Sequence, residues 1–151
     1  VYVIDPRGVG ETSWTLRNPP NFVARSHALL GRTVDDGRVW DIAATARFLI
    51  KNHGGNPSLH IVGEGAGAVL GAYAMLLEPE INGAILDRPQ LSHMDESSPA
   101  LLNVLRVCDV PDALGALAPR SLTIRGLNLE AEQKVSQAYK ASGVSGKLIQ
   151  F

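Results

Sequence analysis

The chain is poor in features that would declare a partner or a compartment. It holds one cysteine, Cys108, in 151 residues, so an internal disulfide is impossible. The compartment stays open, because secreted proteins without disulfides are common. No apolar stretch approaches the roughly 20 residues of a membrane span. The most apolar segment, Ala66 to Leu77, has the length of a buried helix. Lys and Arg number 14 against 15 Asp and Glu, for a net charge of −1. They form no basic run, so neither nucleic acid nor an anionic membrane is an expected partner. The four histidines and the single cysteine show no ligand spacing, and no metal is expected. There is no internal repeat, no low-complexity tract and no visible signal peptide.

What is present is an ordinary globular balance, 45% hydrophobic and 19% charged, enough for one domain with a core. The chain opens on Val1 in an apolar run and stops at Phe151 in another. Both ends read as cuts or processed ends. The expectation is a single domain over 1–151, the C-terminal portion of a larger domain or protein.

Two periodicities alternate. Val1–Asp5 reads as a buried strand ended by Pro6, Gly8 and Gly10. Asn21 is placed to cap a short helix ending at Gly31. Val39, Ile42, Ala43, Ala46 and Ile50 share one helical face, with Trp40, Ala44 and Phe48 beside it. Asp35 or Asp36 would cap that helix and Gly54-Gly55 would stop it. Leu59–Val62 is the next strand, Ala66–Leu77 a helix, and Ile81–Leu86 a third strand. Ala100–Arg106 and Asp112–Leu117 read as short helices. Arg120–Arg125 is a fourth strand, Glu130–Ala141 a helix with Ala131, Val135, Ala138 and Tyr139 inward, and Lys147–Phe151 a fifth strand. The fold class is therefore α/β: a mostly parallel sheet of about five strands with helices on both faces. Asp5–Glu11, Gly63–Gly67, Asp87–His93 and Gly126–Glu130 all follow strands, so they should share the carboxyl edge where such sheets bind ligands.

Gly63-Glu64-Gly65-Ala66-Gly67 can be read three ways. It has the frame of a G-x-S-x-G nucleophile elbow on a strand-to-helix turn, with Gly65 where the Ser should stand. In that frame Gly63 and Gly67 are expected to be small for steric reasons. A central glycine relieves backbone strain of about 1–3 kcal/mol and removes covalent catalysis. Alternatively, Gly63-x-Gly65-x-x-Ala68 fits a dinucleotide fingerprint, with Asp87 at the end of the next strand for the ribose; Glu64 beside the pyrophosphate opposes this. The third reading is plain packing of helix on strand.

Four further segments occur in one order. Asp5-Pro6-Arg7-Gly8-Val9-Gly10-Glu11-Thr12-Ser13 resembles the D-x-R-G-x-G-x-S turn of α/β-hydrolases. Gly37-Arg38-Val39-Trp40-Asp41-Ile42 resembles the R-V-x-D helix of their acetyl xylan esterase branch, near the dienelactone hydrolases. Ala84–Pro89 resembles the strand after the elbow helix, and Leu117-Ala118-Pro119-Arg120 the segment before the acid loop. The resemblance implies an esterase of acetylated sugars or other small esters, with a Ser or Cys nucleophile, an Asp and a late His. Here the nucleophile position is Gly65. The acid loop Arg125–Glu130 offers only Glu130, and no His follows. The strand that such folds place between Val1–Asp5 and Leu59–Val62 is missing, so those two must pair directly or a partner must fill the gap. One oxyanion donor, the Ala66 backbone N–H, is retained.

Other residues are weak substitutes. Asp87, Ser92 and His93 are neighbours in sequence, and His93 reads more simply as fixing a loop. His60 reads as a core or face residue of its strand, and His27 and His53 as exposed. Cys108 reads as a buried structural thiol, Trp14 and Trp40 as core, and Arg7 with Asp41 as a structural ion pair. The leading expectation is an inactive hydrolase-like module kept for binding or structure. It would take a carbohydrate or small ester ligand, with the rest of a larger polypeptide or another subunit as partner and no cofactor. The alternatives are an active ester hydrolase using a non-standard nucleophile or further chain, and a dinucleotide binder.

Overall fold

The computed structural model describes residues 1–53 and 58–151. Four strands form one parallel sheet: β1 (Leu59–Glu64), β2 (Ile81–Asp87), β3 (Ser121–Arg125) and β4 (Leu148–Gln150), paired in that order. Five helices accompany them: α1 (Pro20–Leu29), α2 (Val34–His53), α3 (Ala66–Leu77), α4 (Val110–Gly115) and α5 (Leu129–Ala141). The α/β class and the parallel sheet stand as expected. Among the described residues the strand count is four, because Val1–Asp5 joins no ladder. The last strand is also shorter than Lys147–Phe151, which opens with a 3₁₀ turn at Ser145–Lys147.

The helix signals resolve differently in detail. Pro19, not Asn21, precedes the first turn of α1, and Pro20 takes the first helical position, where its missing N–H is harmless. Thr33 starts α2: its hydroxyl accepts from the Asp36 N–H at 3.0 Å, and the Asp36 carboxylate accepts from the Thr33 N–H at 2.7 Å. This reciprocal box explains why Asp36 is there without being the cap. The proposed stop at Gly54-Gly55 lies outside the described residues. Of Ala100–Arg106 only a 3₁₀ turn at Val104–Arg106 forms, and α4 starts before Asp112, capped by Asp109. Asn128 caps α5 by accepting from the Ala131 N–H at 2.9 Å.

α3 is the centre of the packing. Ala68, Val69, Leu70, Gly71, Ala72, Ala74 and Met75 are all buried, so nearly its whole circumference is covered. On one side lie Val39 and Ala43 of α2. On the other lie Ala84, Leu86, Leu122 and Ile124 of the sheet, joined by Val110, Leu114, Val135 and Tyr139 of α4 and α5. Small residues permit this. A Cβ on Gly71 would stand 2.8 Å from Ile61 Cγ2 of β1.

The helical cover is one-sided among the described residues, contrary to the two-sided expectation. The register aligns Val62, Ile85, Thr123 and Ile149 in one row. Val62 is 75% exposed, and Ile85 and Ile149 are each 49% exposed. The opposite row, Ile61, Ala84, Leu122 and Leu148, faces the core. His60 lies on the open side and is exposed, so it is not a core residue. Trp40 is not core either: it is 57% exposed and carries the Arg47 guanidinium 4.7 Å above its ring.

Val1–Asp5 is held by α2 instead of by a strand. The Tyr2 hydroxyl meets His53 Nε2 at 2.7 Å at the end of that helix. Arg7 forks onto Asp41 with Nε and Nη2 at 2.9 and 2.7 Å, and its backbone N–H adds a third bond at 3.0 Å. The segment thus runs antiparallel to α2, with Val1–Ile4 exposed. The Arg7 hydrogen bonds hold the Asp41 carboxyl below the ordinary carboxylate range, against the opposing effect of burial.

Two outcomes follow. Leu114 is fully buried, so Leu114→Ala should cost about 2–5 kcal/mol in urea unfolding. The folded Asp41 carboxyl sits below its unfolded value, so its contribution is present above about pH 4 and is lost as pH falls through the folded value. The stability gap between the natural chain and Asp41→Asn should therefore shrink as pH is lowered through that range.

Candidate functional site

The strand-to-helix turn after β1 is closely constrained by its backbone. Gly65 has φ 55° and ψ −126°, a left-handed conformation that residues with a Cβ rarely adopt. Its N–H donates to the Asp87 carbonyl at 2.9 Å, tying the turn to the end of β2. Its carbonyl accepts from the Ala68 and Val69 N–H groups at 3.0 and 3.3 Å and so starts α3. The N–H groups of Ala66 and Gly67 belong to that same first turn, where a helix has donors to offer a ligand.

The glycines differ in their reasons. A Cβ on Gly63 would stand 2.7 Å from the Gly67 carbonyl oxygen, so the strand and helix meet backbone to backbone. A Cβ on Gly67 would meet nothing within 4 Å. The expected steric need therefore holds at Gly63 and not at Gly67. At Gly65 itself there is room: the nearest heavy atom to a Cβ is Gln90 Nε2 at 3.9 Å. Gln90 was not anticipated. Its Oε1 is buried and finds no hydrogen-bond partner among the described residues.

Beside the turn runs a row of charges. Glu64, Asp87 and Arg125 are register partners on β1, β2 and β3. Arg125 forks onto Asp87 with Nε at 2.7 Å and Nη2 at 2.5 Å. Arg88 pairs with Glu64 and also lies 3.5 Å from Asp87. The Arg125 hydrogen bonds lead in holding the Asp87 carboxyl below the ordinary range. Asp87 is thus engaged by two guanidinium groups, neither of which stood out in the sequence.

Ser92, His93 and Asp87 do not converge as a relay. The Ser92 hydroxyl donates to Asp109 Oδ2 at 2.6 Å, and the His93 backbone N–H donates to Asp109 Oδ1 at 2.8 Å. The His93 ring turns elsewhere. Nδ1 faces the Pro99 carbonyl at 3.0 Å and donates to it; in the neutral ring Nε2 then accepts from the Tyr73 hydroxyl at 2.8 Å. Burial, followed by the contact with Cys108, raises the Tyr73 hydroxyl pKa. Burial opposes ionisation of Asp109, but Ser92 and the N–H groups of His93 and Val110 outweigh it and hold its carboxyl low. No pattern in the sequence marks Asp109, which also caps α4. Cys108 is half-buried, 3.9 Å from the Tyr73 hydroxyl. This cluster pins the 90–109 loop to α3.

The remaining candidates lie apart. Glu130 is exposed in the first turn of α5. His27 Nδ1 bonds the Val23 carbonyl at 2.9 Å and His60 Nε2 meets Ser58 at 3.1 Å. Among the described residues, no group of three or more His, Cys, Asp or Glu could hold a metal, and no helix is long and apolar enough to cross a membrane.

No protein-family model and no curated protein matches the sequence. A solved structure does match: a Bacteroides fragilis protein described as a "putative acetyl xylan esterase". The TM-score is 0.83 at 16% identity, over 98% of this chain and 45% of that one. The chain has an esterase-like α/β fold. It spans less than half the length of the structure it resembles.

The two flanking glycines separate experimentally. Gly63→Ala should destabilise by about 1–3 kcal/mol, because backbone must give way. Gly67→Ala should be neutral or stabilising by up to about 1 kcal/mol, since it gains helix propensity without a clash. Urea unfolding of both variants checks the pair.

Proposed function

We propose that this chain is a non-catalytic α/β-hydrolase-like module, related in fold to acetyl xylan esterases and retained for binding or structure within a larger polypeptide. The observation that carries this reading is Gly65. The turn keeps a left-handed backbone at the nucleophile position, and there is space for a side chain, yet none is present. The surroundings agree. Ser92 gives its proton to Asp109, His93 Nε2 accepts from Tyr73, and Asp87 is engaged by Arg125. A triad would need a nucleophile, a base and an orienting acid in hydrogen-bond sequence.

Two features support a structural role toward further polypeptide. β1 is the edge strand of the sheet, and Val1–Asp5 runs along the same helix, α2, that packs on α3 without joining β1. The expected alternatives were direct pairing or a partner in the gap; direct pairing does not occur. A strand supplied by further chain or another subunit would occupy the gap. The exposed Val62, Ile85 and Ile149 row would also be covered by such a partner. The Ala66 and Gly67 N–H groups, with Gln90 nearby, would receive a small ester or the acyl group of a carbohydrate without cleaving it.

The dinucleotide alternative is disfavoured by the same charges. The Asp87 carboxylate would have to leave Arg125 to meet a ribose, and Glu64 stands beside the turn.

A fluorophosphonate probe, followed by intact mass, tests the inactivity. No adduct should form on the natural chain, and p-nitrophenyl acetate should show no burst above the Gly65→Ala variant. A single stoichiometric adduct together with a burst would establish the active-esterase alternative instead.

A further inference from the structure

Helix α1 turns its large apolar side chains away from the body of the protein. None of its residues is buried. Val23 and His27, one turn apart, are half-buried on the inner side, where they line a cleft with Asp5 and Asp41. Phe22 and Leu29 lie seven residues apart and so share another, outward face with Arg25 and Ser26. Phe22 is 61% exposed and Leu29 is 89% exposed. Leu16 before the helix and Leu30 just after it are exposed as well. A surface helix of a globular domain directs such side chains to the core; α1 does the reverse.

The charge along this segment is of one sign. From Thr12 to Val34 the chain holds Arg17, Arg25 and Arg32, with no carboxylate and no lysine. All three arginines are exposed, and among the described residues none is ion-paired with a carboxylate. The near-neutral total of −1 therefore conceals a local excess of positive charge around α1. Asp5 and Asp41 stand on the cleft side of the helix, and Asp41 is taken by Arg7. Asp35 and Asp36, the next carboxylates along the chain, are engaged by Arg38 and by the Thr33 N–H.

We infer that α1 and its flanks dock on an anionic phospholipid surface. Leu16, Phe22, Leu29 and Leu30 enter the boundary between headgroups and acyl chains, and Arg17, Arg25 and Arg32 meet lipid phosphates. The order of residues on the face favours lipid over a protein groove. Groove-binding helices offer apolar anchors on successive turns. Here Arg25 and Ser26 stand between Phe22 and Leu29, and a groove would bury both. At a lipid surface the Arg25 guanidinium reaches the headgroups along its own apolar stem. A second copy of this chain would set arginine against arginine, and nucleic acid would leave the apolar side chains against phosphates. The inference draws on residues 12–34 alone, so the outcome of probe labelling at the elbow does not bear on it.

Flotation of the full chain with lipid vesicles tests this. Vesicles of phosphatidylcholine with about one third phosphatidylserine should carry the chain, and phosphatidylcholine alone should not. Salt at about 0.5 M should release it. Arg25→Gln should weaken binding about fivefold, and Arg17→Gln, Arg25→Gln and Arg32→Gln together about a hundredfold. Phe22→Ser with Leu29→Ser, on a helix with no buried residue, should weaken it at least about tenfold. Far-UV circular dichroism confirms that the variants are folded. Equal binding to phosphatidylcholine alone, undiminished binding by the folded triple-glutamine or double-serine variant, or no binding to the phosphatidylserine vesicles at about 1 mM lipid would overturn the proposal. Capture on immobilised polyglutamate without flotation would assign the face to an acidic protein and overturn it too.

Discussion

The close approach of α3 to the sheet is the constraint on which the rest of the structure depends. Gly63 lets the end of β1 touch the start of α3, and Gly71 lets the next turns lie on Ile61. Contact at that distance forces the chain to reverse within one residue. Gly65 absorbs the reversal by taking a left-handed backbone. Its N–H then reaches the Asp87 carbonyl, so the turn also sets how β2 ends beside β1. Shape and site are therefore one feature: the geometry that would present a nucleophile is the geometry that packs the central helix.

The same packing explains the asymmetry of the domain. α2, α4 and α5 gather around α3, and their apolar faces close one side of the sheet. The other side carries Val62, Ile85 and Ile149 in register, and its exposure is large for branched apolar residues. The Arg7–Asp41 fork belongs to this account. It attaches the N-terminal segment to α2 at a distance from the sheet, leaving β1 with an unpaired edge. Natural edges are shortened, charged or covered. Here charge appears only at the end of the strand, at Glu64, where Arg88 meets it.

At the carboxyl edge, ionisable groups that could have served catalysis are paired with one another. Asp87 pairs with Arg125 at the strand ends, while Asp109 with Ser92 and His93 with Tyr73 satisfy polar groups of the partly buried loop that follows β2. Such pairing stabilises the chain around the turn at Gly65.

Much of the architecture was readable from residue order. Apolar runs between turn residues located β1, β2, β3 and the helices α2, α3 and α5, because local burial patterns follow element periodicity. The glycine spacing located the strand-to-helix turn centred on Gly65. Local pattern could not decide pairing. Val1–Asp5 has the composition of a strand, but a strand exists only when a neighbour supplies the other half of its ladder. Nor could it decide that Trp40 and His60 face outward, or that Gln90 and Arg125 stand beside Gly65 and Asp87. Those contacts join residues 25 and 38 positions apart, and their geometry is set by strand register and by the path of loops. The sequence by itself determined the order of elements and the glycine turn centred on Gly65. The tertiary structure decided which edges and faces stay open and which charges meet, because both depend on long-range packing.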